Sequence, residues 1–397
     1  MILPGRDPIY MDHNATTPCL PEVVEAMVPF FTQVFGNPSS STHSQGARAA
    51  EAVASARRSV AALLGADPDE IVFTAGATES DNLALRGACA GPGPAHVVAC
   101  VIEHEAVLET CADLARHGVE TTILPVDGEG LLDPAAVARA LRRHTRVVSV
   151  MMANNEIGVM QPVEEIARTC REQGVLFHTD AVQAAGRVPL DVGSLEIDLL
   201  SLTAHKMYGP KGVGALYVRK GVRLEPMVSG GGQEGGLRSG TLNVPGIAGF
   251  GAAARAAARD MKAEAERELG LRERLWRGLR ERVHGVILNG HPQRRLPNNL
   301  NVAFEGVEAE ALLTSLRGVA ALSAGSACAS SAGKGSYVIR ALAGESGAWR
   351  ARSSVRFGLG RGNTEADVDR VVQGVEGAVA RLRSLAPAPA PRRADAV

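Results

Sequence analysis

IDLLSLTAHKMYGPKGVGALYVR, Ile197 to Arg219, holds two apolar strand-like runs, IDLLSLT and VGALYVR, joined by a polar segment that ends in a glycine-rich turn. Runs of the same kind recur upstream at IVFT (Ile71 to Thr74), HVVACV (His96 to Val101), VETTILPV (Val119 to Val126), RVVSVMM (Arg146 to Met152) and VLFHTD (Val175 to Asp180), with helical patterns between them. Apolar strands alternating with helices imply an α/β fold with a mostly parallel sheet covered on both faces. Ligands of such sheets sit beyond the carboxyl ends of the strands. The polar residues that fall there are Thr78, Asn155, Asp180, Gln183, His205 and Lys206.

Lys206 stands out because lysine is scarce. The chain has only Lys206, Lys211, Lys220, Lys262 and Lys334, and arginine supplies the remaining basic charge. A primary amine can lose its proton and condense with a carbonyl, whereas a guanidinium cannot. Lys206 therefore reads either as a Schiff-base lysine, most commonly for pyridoxal 5'-phosphate (PLP), or as a solvated lysine beside a turn. IVFT followed by AGATESDN gives a strand, a glycine turn and a helix start. There Gly76 permits close backbone approach, Thr78 and Asp81 fit a capping box, and free amides attract an anion. Many strand-to-helix connections share these features, and this one lacks the Walker lysine and the GxGxxG spacing.

At 397 residues the chain implies two domains. A net charge of -1 with 21% charged residues makes no electrostatic case for nucleic acid or an acidic membrane. No apolar run approaches about 18 residues and the N-terminus lacks a leader pattern, so a soluble, cytoplasmic protein is expected. The six cysteines are scattered without CxxC pairs, which argues against a disulfide framework or a metal site. Cys100 and Cys111 fall on apolar patterns and are expected in the core. After the sheet come a glycine-rich stretch, Val228 to Thr241, and a long helical stretch, Ile247 to Val283, read as a connector into a second domain. The end, 386–397, is rich in Pro and Ala and is expected to be disordered.

Taken together, ATTP, FGNPSS, TAGATESDN, EHEAVL, ANNEIG, HTDAVQ, TAHKMYGPKGVGALYVR, GGGQEGGLRSGT, SAGSACAS and SSVRFGLG resemble the cysteine desulfurases of the NifS/IscS type. The likeness runs from about Tyr10 to about Leu385. It implies a PLP-dependent transferase of fold type I, with a large PLP-binding domain at 15–262 and a smaller α+β domain formed by 1–14 and 263–385. The implied reaction takes sulfur from L-cysteine, leaving L-alanine and an enzyme persulfide for an acceptor protein.

By that resemblance Lys206 is the Schiff-base lysine, Asp180 pairs with the pyridinium nitrogen and His104 stacks on the ring as a possible acid or base. Gly76, Ala77, Thr78, Thr203 and His205 hold the phosphate. Gln183 and Asn155 contact the ring oxygen and the substrate side, and Arg356 forks onto the substrate carboxylate. Cys328 is the sulfur nucleophile. Thr241 reaches the phosphate of a neighbouring subunit, which implies a homodimer. The chain departs from the family at Gly333-Lys334-Gly335, where Leu-Glu-Pro is usual after the cysteine. The competing readings are a selenocysteine or cystine lyase on the same fold, a non-catalytic nucleotide-binding module, and a pseudoenzyme scaffold.

Overall fold

The computed structural model describes residues 7–325, 335–345 and 347–385; Cys328, Gly333, Lys334 and the 386–397 tail lie outside the described residues. Its strands are β1 (Ile9–Tyr10), β2 (Ile71–Thr74), β3 (His96–Cys100), β4 (Glu120–Leu124), β5 (Thr145–Ser149), β6 (Leu176–Asp180), β7 (Leu199–Thr203), β8 (Gly214–Val218), β9 (Val286–Leu288), β10 (Asn299–Phe304), β11 (Ala320–Ala321) and β12 (Ser354–Gly358).

Seven of them form the main sheet in the order β2-β8-β7-β6-β5-β3-β4. All its neighbours pair in parallel except β8, which runs antiparallel to both β7 and β2. The reason is the length of the connection between β7 and β8, since 204–213 is too short for a crossover of a dozen or more residues. The reversal places Gly214 opposite both Thr203 and Thr74. A Cβ there would stand 2.7 Å from the Gly76 Cα and 2.7 Å from the Leu202 carbonyl oxygen, so only glycine fits.

Helices cover the sheet as the apolar patterns imply. The helix Ser44–Leu64 starts at a His43 cap and stops at Gly65, whose φ of 66° is the left-handed conformation that ends a helix. The helix Ala77–Cys89 differs from expectation at its start. Gly76 is the N-cap and Thr78 is already the second helical residue, so the Thr78–Asp81 capping box does not form. The Gly76 carbonyl already accepts from the Glu79 and Ser80 amides, and Asp81 is turned into the interior.

The helix Val244–Arg282 ties two apolar cores together. Val244, Ile247 and Phe250 pack into the core of the main sheet, while Leu271, Leu275 and Leu279 belong to a second core with β10 and β12. That second core lies against an antiparallel sheet of order β12-β10-β9, and β1 pairs with β11 beside it. Cys100 and Cys111 are buried, and the five described cysteines are all free thiols. No helix among the described residues is long and apolar enough to cross a membrane.

Between the two cores a buried ion pair joins the turn after β6 to the long helix. Arg187 donates to both oxygens of Glu268, at 3.2 and 3.0 Å, with their side chains 6% and 2% exposed. Burial pushes the Glu268 carboxyl up, and Arg187 opposes that shift. Removing one partner of such a pair strands a charge in the interior. Glu268→Ala is therefore expected to destabilise the fold by about 3–5 kcal/mol in urea denaturation, with Glu268→Gln losing less because its amide oxygen still accepts.

Candidate active site

The carboxyl ends of β3, β5, β6 and β7 and the turn after β2 open onto one cavity of about 750 Å³, a size suited to a small molecule. Ten candidates from the main-sheet segments line it: Gly76, Ala77, Thr78, His104, Asn155, Asp180, Gln183, Thr203, His205 and Lys206. Arg356 joins them from β12 of the smaller sheet. Thr241 is exposed and is not among the residues of this cavity, and Cys328 lies outside the described residues.

Lys206 closes a short 3-10 turn, 204–206, directly after β7. Its Nζ donates to the backbone carbonyls of Asn14 and Ala15, at 2.6 and 2.7 Å. Burial, then the nearby Arg356 cation, holds its pKa down at about 8, against a partial counterweight from Asp180 and Asp12. A buried amine of this kind is free base in a useful fraction near neutral pH, which a solvated lysine is not.

Asp180 ends β6 deep in the cavity wall, where its Oδ1 accepts the Val182 amide at 2.8 Å. Burial raises its pKa, while His104 and then Lys206 favour its charged form. A carboxylate so placed is further stabilised by a cationic N–H ligand. His104 caps the helix Glu105–Arg116 by accepting the Ala106 amide on Nδ1 at 3.1 Å, so it serves as a cap and also presents to the cavity.

On the opposite side the helix Ala77–Cys89 points its N-terminus at the cavity with no side chain capping it. Nothing lies within 4 Å of where a Gly76 Cβ would be, which leaves room for an anion against the amides. Burial, then the Lys206 and Lys211 cations, lowers the His205 pKa to about 4, so His205 is neutral here. Its Nδ1 lies 3.1 Å from the Thr16 hydroxyl. Thr203 donates its hydroxyl to the Val213 carbonyl at 3.0 Å and would have to turn that proton toward the cavity to bind an anion. This side therefore offers an anion the amides and the positive end of the helix.

Arg356 is 2% exposed and reaches across from the smaller sheet. Its Nη1 donates to the Asn155 carbonyl and its Nη2 to Asp12 Oδ1, both at 2.8 Å, while the buried Nε has no hydrogen-bond partner. Asn155 Oδ1 is also buried without one. The orphaned Arg356 Nε–H is fit to donate to a carboxylate, and the Asn155 amide oxygen to accept from a ligand N–H or O–H.

The sequence reading missed Asn14, Ala15 and Asp12. Asn14 and Gln183 exchange two bonds, Asn14 Nδ2 to Gln183 Oε1 at 2.9 Å and Gln183 Nε2 to the Asn14 carbonyl at 3.0 Å. The same Asn14 carbonyl takes the Lys206 amine. The signal was the turn-rich MDHNATTP stretch, whose backbone groups are free to meet a ligand, but a carbonyl contributed by alanine leaves no mark in residue type.

The profile of the Aminotransferase class-V family matches residues 9–371. A protein of Anaeromyxobacter sp. (strain Fw109-5) named cysteine desulfurase IscS is 54% identical over 385 residues, covering 96% of this chain and 94% of its own. A solved NifS-like protein superposes with a TM-score of 0.87 at 36% identity, covering 94% of this chain and 100% of that one. The structure described as SspA in complex with cysteine has a TM-score of 0.78 at 37% identity, covering 88% and 98%.

The electrostatics of Lys206 can be measured without a ligand. In the cofactor-free protein its acylation by an amine-directed reagent, followed by peptide mass spectrometry, should be half-maximal near pH 8, where an ordinary lysine is still protonated. Asp180→Asn removes an anion that favours the ammonium and should move the midpoint down; Arg356→Gln removes a cation that opposes it and should move the midpoint up. Lys206 reacting only above pH 10 would contradict this account of the site.

Proposed function

This chain belongs to the class-V aminotransferase family, and we propose that it works as a PLP-dependent cysteine desulfurase, converting L-cysteine to L-alanine while an enzyme thiol becomes a persulfide. The observation that carries the reading is the cavity itself, where a buried amine, a buried carboxyl, an uncapped helix N-terminus and an unsaturated guanidinium face one another.

The residues present suit PLP. The amides of Gly76, Ala77 and Thr78 with the Thr203 hydroxyl would hold its phosphate, Asp180 its ring nitrogen, His104 a ring face, and Gln183 its ring oxygen. PLP, when bound, supplies an electron sink for the substrate's α-carbon. Lys206 would attach the cofactor at rest and, once displaced, take the proton from the α-carbon on Nζ and return a proton to the alanine product. Arg356 would take the substrate carboxylate on its guanidinium edge, with Asn155 beside it. The Cys328 thiolate would attack the substrate sulfur, so that the carbon–sulfur bond breaks and a sulfur–sulfur bond forms.

The working form is a homodimer in which the exposed Thr241 serves the partner's phosphate. It is cytoplasmic, and its persulfide passes to an acceptor protein in iron–sulfur or other thio-product synthesis.

Borohydride reduction of the PLP-loaded protein should fix the cofactor on Lys206, as shown by peptide mapping, and Lys206→Ala should lose turnover while retaining some PLP. A brief incubation with cysteine should add one sulfur atom to the Cys328 peptide. Cys328→Ser should cut alanine release by about 100-fold or more with the protein's colour unchanged. Cofactor on Lys211, or undiminished release by Cys328→Ser, would overturn the corresponding assignment. Mixing Lys206→Ala with Thr241→Ala subunits should restore part of the activity through heterodimers with one intact site, and no recovery after verified exchange would count against a shared site.

A further inference from the structure

Among the described residues only Glu196, Tyr208 and Glu234 adopt left-handed backbone without being glycine. For an aromatic residue this conformation crowds Cβ against the chain and persists only where the surroundings impose it. Tyr208, with φ of 65°, stands two residues after Lys206. The turn between them is tight, with the Met207 and Gly209 amides both donating to the Ala204 carbonyl.

Separate pieces of chain hold Tyr208 in place. Its amide donates to Thr17 Oγ1 at 2.8 Å, and its carbonyl accepts the Leu20 amide at 3.1 Å. Its buried hydroxyl accepts the Arg361 amide at 2.7 Å, and the Arg361 guanidinium lies 5.0 Å from the ring centre. Arg187, paired with Glu268 of the long helix, lies beside the same hydroxyl. The turn is also closely packed, with Met207 and Tyr208 buried and a void of only about 10 Å³ among Lys206, Tyr208, Arg187 and Glu268. Thr17 binds the turn twice, through its amide and hydroxyl to the His205 carbonyl, and it belongs to the segment whose Asn14 and Ala15 carbonyls take the Lys206 amine.

We propose that Tyr208 is the positioning residue of Lys206: its strained turn, riveted to the N-terminal segment, the long helix and the segment after β12, sets the backbone from which the amine reaches the cavity. Docking of all three pieces is thereby coupled to the placement of the reactive nitrogen. The inference rests on the reading of Lys206 as the point of cofactor attachment.

The test compares Tyr208→Phe and Tyr208→Gly with Glu196→Gly, which relaxes left-handed backbone at a position outside the cavity lining. Each cofactor-free protein is mixed with PLP, the rate of attachment is followed by visible absorption and mapped after borohydride, and kcat and KM for cysteine are measured on the loaded, folded fraction. Tyr208→Phe, which lacks the hydroxyl, should attach PLP roughly 10-fold more slowly, with kcat falling in parallel and KM nearly constant. Tyr208→Gly, despite its easier backbone, should fall by about 100-fold, the cost of a reacting group displaced by an ångström. Glu196→Gly should match the wild type. Wild-type attachment and kcat in Tyr208→Phe would overturn the proposal, and that variant alone decides if Tyr208→Gly does not fold. Wild-type protein that attaches PLP elsewhere than Lys206 would overturn the underlying reading instead, a result visible before any variant is made.

Discussion

Burying the Lys206 amine against two backbone carbonyls is the constraint on which the site depends. An ammonium taken from water must be hydrogen-bonded or lose its proton. Here the Asn14 and Ala15 carbonyls supply the bonds, and burial together with Arg356 favours loss of the proton. Those carbonyls come from the N-terminal segment, which is itself tied down through Asn14 to Gln183, Thr17 to the His205 carbonyl, and Asp12 to Arg356. The amine, the Arg356 guanidinium and the segment between them therefore depend on one another for their positions.

Burial also governs the charges in and behind the cavity wall. Asp81, Glu103 and Asp180 are all buried near one another. Burial pushes Asp81 and Glu103 well up, and the mutual repulsion of the carboxylates adds to it, which favours their neutral forms. Asp180 differs because His104 and Lys206 favour its ionised form. His178, between Ser149 Oγ at 2.8 Å and Ser201 Oγ at 3.0 Å, is kept uncharged by burial, with a pKa of about 3. Asp180 is thus the carboxyl of the three that neighbouring cations help to ionise.

The two cores make this arrangement conditional on tertiary assembly. Arg356 sits on β12 beside the second core, yet its guanidinium ends between Asn155, which follows β5, and Asp12. The helix Val244–Arg282 spans both cores, and the Arg187–Glu268 pair locks it to the turn after β6. Movement of one core relative to the other would displace Arg356 from Lys206 and change the pKa of the amine.

Much of this was legible in the chain because it is local. Apolar runs of four to eight residues broken by helical periods announced the strands, and Asp180 and Thr203 at strand ends, with Lys206 just beyond one, are readable because the apolar run gives way there to polar residues. Family motifs added roles to those positions, and the geometry brings eleven of them to one cavity. Local reading failed where a neighbour distant in sequence decides. The capping box at Thr78 was plausible by spacing, yet Gly76 takes the cap because strand β2 delivers the chain there, opposite Gly214. The reversal of β8, the carbonyls around Lys206 and the Asp12 partner of Arg356 were likewise settled by the fold. Residue type records what a side chain can do; backbone carbonyls, ion-pair partners and the depth that drives the Lys206 pKa to about 8 exist only once segments remote in sequence have packed together.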